Sequence, residues 1–201
     1  NPFAETRSTP MIRIAGKYIL ENTIIYLKEA GIHEIVIVVN HQQDMIRKYF
    51  GGGKEFGVNI EYVIQNEGLG IGQALSLCKK ILGKKPFLLV YGDAQTDCNP
   101  FLPLLKTYSE IDREVALVAL PDSSKYFGNV YLDHEMKIVR LVEKPDDNQS
   151  NYVFAGIFVL FTSIFDLLEK NQNDISKCYR QMIKKCRLNS CIWEKGWIDM
   201  I

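Results

Sequence analysis

Phe87-Leu-Leu-Val-Tyr-Gly-Asp93 is apolar for five residues and then ends on a glycine and a carboxylate. A short apolar run of this kind, bounded by turn residues, reads as a strand buried on both faces. Glu34-Ile-Val-Ile-Val-Val39 and Val115–Leu120 carry the same signature. Helical spacing fills the intervals. Ile19–Ala30 places Leu20, Ile24, Ile25 and Leu27 on one face and stops at Gly31. Gln43–Phe50, Gly72–Leu82 and Pro100–Tyr108 read as further helices, and Val58–Gln65 as an alternating strand. Strands alternating with helices predict βαβ units with right-handed crossovers.

Beyond Leu120 the rhythm changes. Asn129–Leu132, Lys137–Glu143 and Tyr152–Leu160 are strands joined by short polar connections, which favours antiparallel pairing. Ser163–Lys170 and Ile175–Lys185 read as helices and Ser190–Trp193 as a last strand. The expected fold class is α/β: a Rossmann-like mixed, mostly parallel sheet flanked by helices, with a smaller antiparallel addition. One domain over residues 1–201 is expected, with a first part at 1–121 and a second at 122–201.

Composition narrows the function. The 201 residues are 47% hydrophobic and 24% charged, the mix of a folded globular chain. Lys+Arg and Asp+Glu both number 24, so the net charge is zero and no nucleic-acid partner is indicated. No apolar run reaches the roughly 18 residues of a membrane helix, so no membrane partner is expected either. Five cysteines (Cys78, Cys98, Cys178, Cys186, Cys191) without a C-x-x-C fit free thiols in a reducing cytoplasm. Cys178 and Cys186, eight apart, are expected to share a helix face as small buried groups. His33, His41 and His134 lack metal-ligand spacing.

In open α/β sheets ligands gather beyond the carboxyl ends of the strands. Asp93 stands at such an end, behind Gly92, where a carboxylate can hold a metal ion or cap its own turn. Gln65-Asn-Glu-Gly-Leu-Gly-Ile-Gly72 follows another strand and offers backbone N–H groups to an anion or a flat base. Trp197-Ile-Asp199 supplies a second carboxylate.

Taken in order, Pro2-Phe-Ala-Glu-Thr-Arg-Ser-Thr-Pro-Met11, Ile14–Glu21, Gln65…Leu69-Gly70, Tyr91-Gly-Asp93, Val142-Glu-Lys-Pro145, Ala155-Gly-Ile157 and Trp197-Ile-Asp199 resemble the sugar-1-phosphate nucleotidyltransferases over essentially the whole chain. The resemblance implies transfer of a nucleotidyl group from UTP or dTTP to a sugar 1-phosphate, with release of pyrophosphate. It implies Mg²⁺ held by Asp93 and Asp199, with Lys144 facing phosphate as a third catalytic group. Gln65, Gly70 and Gly92 would bind the nucleotide, and Gly128, Glu143 and Phe154 would line the sugar side. Homo-oligomerisation is left open.

Several positions depart from the family pattern. The family's opening strand and its Gly-rich loop have no counterpart here, so a fragment of a longer chain is expected. Thr9 stands where a phosphate-binding lysine belongs, Ile71 replaces a threonine, and Phe154 replaces an asparagine. The alternative these departures support is a weak or silent relative that binds a nucleotide sugar as a regulatory or assembly subunit.

Overall fold

A computed structural model describes residues 9–40, 44–66, 69–120, 128–143 and 152–199; of these, the side chains of Glu143 and Asp199 lie outside the description. After a 3-10 turn at Thr9–Met11 the elements run β1 (Arg13–Ile14), β2 (Lys17–Tyr18), α1 (Ile19–Glu29), β3 (Glu34–Val39), α2 (Asp44–Phe50) and β4 (Asn59–Ile64). Next come α3 (Ile71–Leu77), α4 (Lys79–Leu82), β5 (Phe87–Val90), β6 (Ala94–Thr96), α5 (Phe101–Ile111) and β7 (Glu114–Ala119). The chain continues through β8 (Gly128–Leu132), β9 (Ile138–Glu143), β10 (Tyr152–Leu160), α6 (Ile164–Lys170), α7 (Ile175–Lys184), β11 (Leu188–Trp193) and β12 (Trp197–Asp199). The expected helix over Gly72–Leu82 is two helices, broken at Cys78.

The main sheet is mixed. Its order is β11-β7-β10-β8-β9, with β5 also paired to β10. The β11/β7 pair is parallel, as is the separate pair β3/β4. Every pair made by β10 is antiparallel. Parallel pairing is thus less extensive than the alternating pattern suggests, because β10 inserts between β5 and β7. Local hydrophobicity cannot foresee that step, since it is a long-range choice of neighbour.

Side chains alternate across the sheet, as a strand covered on both faces requires. Ala116 and Val118 of β7 join a cluster with Phe158, Leu160, Leu168 and Met182 under α6 and α7. Val115, Leu117 and Ala119 face the other way, onto Phe101 and Leu104 of α5. A third cluster, around Ile24, Val39, Ile46 and Phe50, closes the β3/β4 end. All six residues of β7 are buried, whereas all four of β5 are only half-buried.

The edges of β10 matter most for the site. One edge pairs with β7 along nearly its whole length. The other edge is divided: Tyr152 and Val153 pair with β8, and Ile157–Leu160 pair with β5. The sheet forks between them, at Phe154-Ala155-Gly156. Register with β7 also shifts there, and Gly156 takes φ +75°, a left-handed conformation that favours glycine. A Cβ on Gly156 would lie 3.0 Å from the Tyr91 ring, so glycine also permits this close crossing.

The thiols are free, as expected. Cys178 is buried, but Cys186 is exposed beyond the end of α7 with φ +51°, so the two do not share a buried face. The chain leaves α7 through a tight turn that the eightfold spacing does not reveal. His33 Nδ1 lies 3.2 Å from the Gly57 carbonyl oxygen, and His41 lies outside the described residues.

Candidate active site

The fork draws strand ends together from four directions. β5 runs antiparallel to β10, and Tyr91 N–H donates to the Gly156 carbonyl at 2.8 Å, so Gly92 and Asp93 emerge at the fork. β8 also runs antiparallel to β10 and begins there, with Gly128 one residue before the Asn129–Val153 pair. Gly128 is in turn opposite Glu143 on β9. β12 pairs with β6 in a register that sets Asp199 opposite Ala94. The backbone of Asp199 therefore stands beside the residue that follows Asp93. These two acids lie more than a hundred positions apart in sequence; only this register makes them neighbours.

Trp197 secures that register. Its indole Nε1–H donates to the Ala155 carbonyl at 3.1 Å, tying β12 to the fork itself. Trp197 also packs half-buried against the α5-side cluster. Its positioning role is legible only once β10 is known to pass beneath it.

Gln65 and Gly70 also meet. Gln65 Nε2 donates to the Gly70 carbonyl at 3.2 Å and to Gln73 Oε1 at 2.9 Å. Gln73 is a partner that sequence reasoning missed; it lies in the first turn of α3, where the amide of Gln65 reaches it. Both amide hydrogens of Gln65 are thereby engaged, and a two-point contact to a pyrimidine edge requires one of these bonds to open.

Phe154 has its backbone at the fork, but its ring packs on aromatic neighbours. The Phe158 ring is 5.2 Å away and the Tyr179 ring 5.5 Å, both in edge-to-face arrangements. Tyr179 is buried and its hydroxyl lies 3.1 Å from that of Tyr91; burial holds the Tyr179 hydroxyl well above the usual tyrosine range, so it stays neutral. Lys144 lies outside the described residues.

Among the described residues no group of three or more His, Cys, Asp or Glu side chains is placed to hold a metal ion. A pair of acids at Asp93 and Asp199 fits a hard cation that takes one or two carboxylates and completes its shell with water and substrate phosphates. No helix among the described residues is long and apolar enough to cross a membrane.

A cavity of about 960 Å³ opens beside the fork. Its lining includes Thr9, Pro10, Gly92 and Asp93 together with apolar side chains of β3 and β5.

The model of the family described as "Nucleotidyl transferase" matches residues 1–200. The chain belongs to this family. It is 32% identical to "Mannose-1-phosphate guanyltransferase" of Gibberella zeae, over 95% of this chain and 54% of that protein. It is 30% identical to "Bifunctional protein GlmU" of Methanococcus maripaludis, over 100% of this chain and 48% of that protein. The chain thus spans about half the length of the curated relatives it matches. Among solved structures, a putative glucose-1-phosphate thymidylyltransferase from Bacillus anthracis superposes with a TM-score of 0.91 at 21% identity, over 98% of this chain and 83% of that one. A UDP-glucose pyrophosphorylase complexed with UDP-glucose gives a TM-score of 0.85 at 20% identity, over 98% and 87%. The nucleotidyl transferase fold is the one described above, a mixed α/β sheet flanked by helices.

Proposed function

We propose that the fork is the active site of a sugar-1-phosphate nucleotidyltransferase, which joins the nucleotidyl group of UTP or dTTP to a sugar 1-phosphate and releases pyrophosphate. The observation that carries this reading is the β6/β12 register, which makes Asp199 a neighbour of Asp93 at the end of β5. In this reading both acids hold Mg²⁺, Lys144 faces phosphate, Gly128 and Glu143 meet sugar hydroxyls, and Gln65, Gly70 and Gly92 hold the nucleotide. Magnesium, when bound, neutralises charge on phosphate oxygens. A sugar phosphate is already an anionic nucleophile, so no general base is required of the protein. Its work is to align that oxygen with the α-phosphorus opposite the leaving pyrophosphate, and alignment alone accounts for much of such a barrier.

Base choice is the finer part. The relatives' names point in different directions, one to guanyl transfer and the solved neighbours to thymidylyl or uridylyl chemistry. Gln65 supports a base with an N–H beside a carbonyl, which a carboxamide matches with one acceptor and one donor; uracil and thymine have that edge, adenine and cytosine lack it, and the GTP arm of the test below separates guanine, which shares it. Such a match discriminates by roughly 1–3 kcal/mol in base readout, or about 5- to 150-fold.

The test is pyrophosphate release by the full-length polypeptide with Mg²⁺, each nucleoside triphosphate, and a panel of hexose 1-phosphates. UTP or dTTP is expected to lead. Asp93→Asn should lower turnover by about 100-fold or more while the unfolding midpoint stays within a degree or two, since a strand-end side chain adds little to the core. Equal rates with GTP overturn the pyrimidine assignment alone. Full activity in Asp93→Asn overturns the site.

A further inference from the structure

The side-chain amides of Gln65 and Gln73 form a chain whose direction is fixed at one end. Gln65 stands at the carboxyl ends of the parallel pair β3/β4, where its backbone N–H donates to the Val39 carbonyl at 2.8 Å. Its Nε2 donates to the Gly70 carbonyl at 3.2 Å and to Gln73 Oε1 at 2.9 Å. A backbone carbonyl only accepts, so Gln65 must turn Nε2 toward Gly70. An amide nitrogen only donates, so Gln73 must turn Oε1 toward Gln65. Turning over either amide sets two acceptors or two donors against each other. The main chain at Gly70 therefore sets the polarity of both side chains.

The supports are firm. The Gly70 carbonyl also accepts from Ala74 N–H at 3.2 Å, in the first turn of α3. Gly72 packs so closely on Asn173 that a Cβ would fall 1.9 Å from its carbonyl oxygen, and Ser76 Oγ donates to Asn173 Oδ1 at 2.6 Å. The helix that carries Gln73 is thus pinned on either side of it. Two polar atoms remain: Gln65 Oε1, an acceptor, and Gln73 Nε2, a donor. Neither bonds to a protein group among the described residues, and neither is shut away from solvent. They belong to adjacent amides joined by one hydrogen bond, an acceptor beside a donor in fixed order.

We infer that Gln73 is a specificity-determining residue: Gln65 Oε1 accepts from the ring N–H of the nucleotide's base while Gln73 Nε2 donates to the carbonyl beside it, so the pair admits uracil or thymine and rejects cytosine. This rests on the reading of Gln65 as a nucleotide-binding residue. Uracil and thymine offer N3–H and O4. Cytosine in the same pose offers a bare N3 and an N4–H2, with donor and acceptor exchanged. A single amide free to turn over matches either order. The locked pair matches one order and opposes the other, acceptor to acceptor and donor to donor. Gln65 keeps both of its own hydrogen bonds, because Gln73 brings the second contact.

The test is Gln73→Glu in the full-length polypeptide, with Mg²⁺ and with UTP, dTTP and CTP titrated separately by calorimetry. Glutamate has the length of glutamine and still accepts from Gln65 Nε2, so the lock is kept; an unfolding midpoint within a degree or two of wild type checks this. Its second oxygen accepts where Gln73 Nε2 donates. The added charge weakens all three triphosphates alike, and the ratio of affinities cancels it. Wild type is expected to favour UTP and dTTP over CTP by about 10-fold or more, and Gln73→Glu to lower that ratio by about 10-fold or more. Gln73→Met, neutral and unable to donate, should lower it by about 3-fold or more. An unchanged ratio in either folded variant, or a wild type that binds CTP as tightly as UTP, overturns the inference and leaves the site standing. Failure of all three triphosphates to bind wild type overturns the site itself, and the inference with it.

Discussion

Arg187 should be among the most costly residues to remove, for a reason that lies away from the fork. Glu114 opens β7 and is 1% exposed. Its carboxylate accepts from Arg187 Nε at 3.0 Å and from Arg187 Nη2 at 2.8 Å, a two-point clasp between the starts of β7 and β11. Phe161 N–H donates to the same carboxylate at 3.2 Å, and Arg187 Nη2 also reaches Ser163 Oγ at 2.6 Å. The group thus pins the far end of β10 and the start of α6 to β7, and with them the register that places the fork. Burial pushes the Glu114 carboxyl above its ordinary value, and the Arg187 guanidinium pulls it back. Arg187→Ala leaves a buried carboxylate without its cation, which costs about 3–5 kcal/mol. For a chain of this size that is a fall in Tm of roughly 10 °C. The sign of the pH dependence follows from the raised pKa. A carboxyl whose folded pKa exceeds its unfolded value contributes its full stability below the unfolded pKa and loses it as pH rises through the folded one. Removing Arg187 raises the folded value further, so the deficit of Arg187→Ala should be largest near neutrality and shrink as the pH falls into the acid range and Glu114 is protonated. Urea unfolding of wild type, Arg187→Ala and Arg187→Ala/Glu114→Gln across that range measures it. The double variant should recover about 2 kcal/mol, since a neutral amide still accepts from Phe161 N–H. A deficit under about 1 kcal/mol near pH 7.5, or a double variant no more stable than the single, refutes the reasoning.

Three further outcomes are expected. Gly72→Ala should destabilise by about 1–3 kcal/mol in thermal unfolding, because its Cβ would fall 1.9 Å from the Asn173 carbonyl oxygen and two backbone segments would have to part. Asp174→Ala should cost about 1 kcal/mol by removing the cap that accepts from Lys177 N–H at the start of α7. That hydrogen bond also holds the Asp174 carboxyl below its ordinary value, so the stability it adds is present above the unfolded pKa and vanishes as pH falls through the folded one; unfolding of the two forms should converge in acid. Phe154→Asn should lower Tm, since the ring leaves Phe158 and Tyr179, and should raise pyrophosphate release with glucose 1-phosphate if the position also borders the sugar; unchanged turnover assigns the ring to packing alone.

The sequence by itself determined the elements and their order. The apolar runs at Glu34–Val39 and Phe87–Val90 are strands because β-branched and large apolar residues on both faces demand two covering layers, a local signal that survives any topology. The helix at Ile19–Glu29 and its stop before Gly31 were equally legible from spacing and end chemistry. Asp93 could be singled out as a strand-end carboxylate and Asp199 as a motif residue; that they meet was implied only by the family resemblance, since nothing in either neighbourhood shows the geometry that brings them together. That was decided by the pairing of β6 with β12 and by the insertion of β10, whose divided edge creates the fork. The clasp of Glu114 with Arg187 was likewise invisible in one dimension. Hydrophobic periodicity reports which face of a residue is dry; it carries no record of which strand lies alongside, because backbone hydrogen bonds between strands are the same for every sequence. Neighbour choice is settled by volume, edge and register across the whole sheet, and the site is made of those choices.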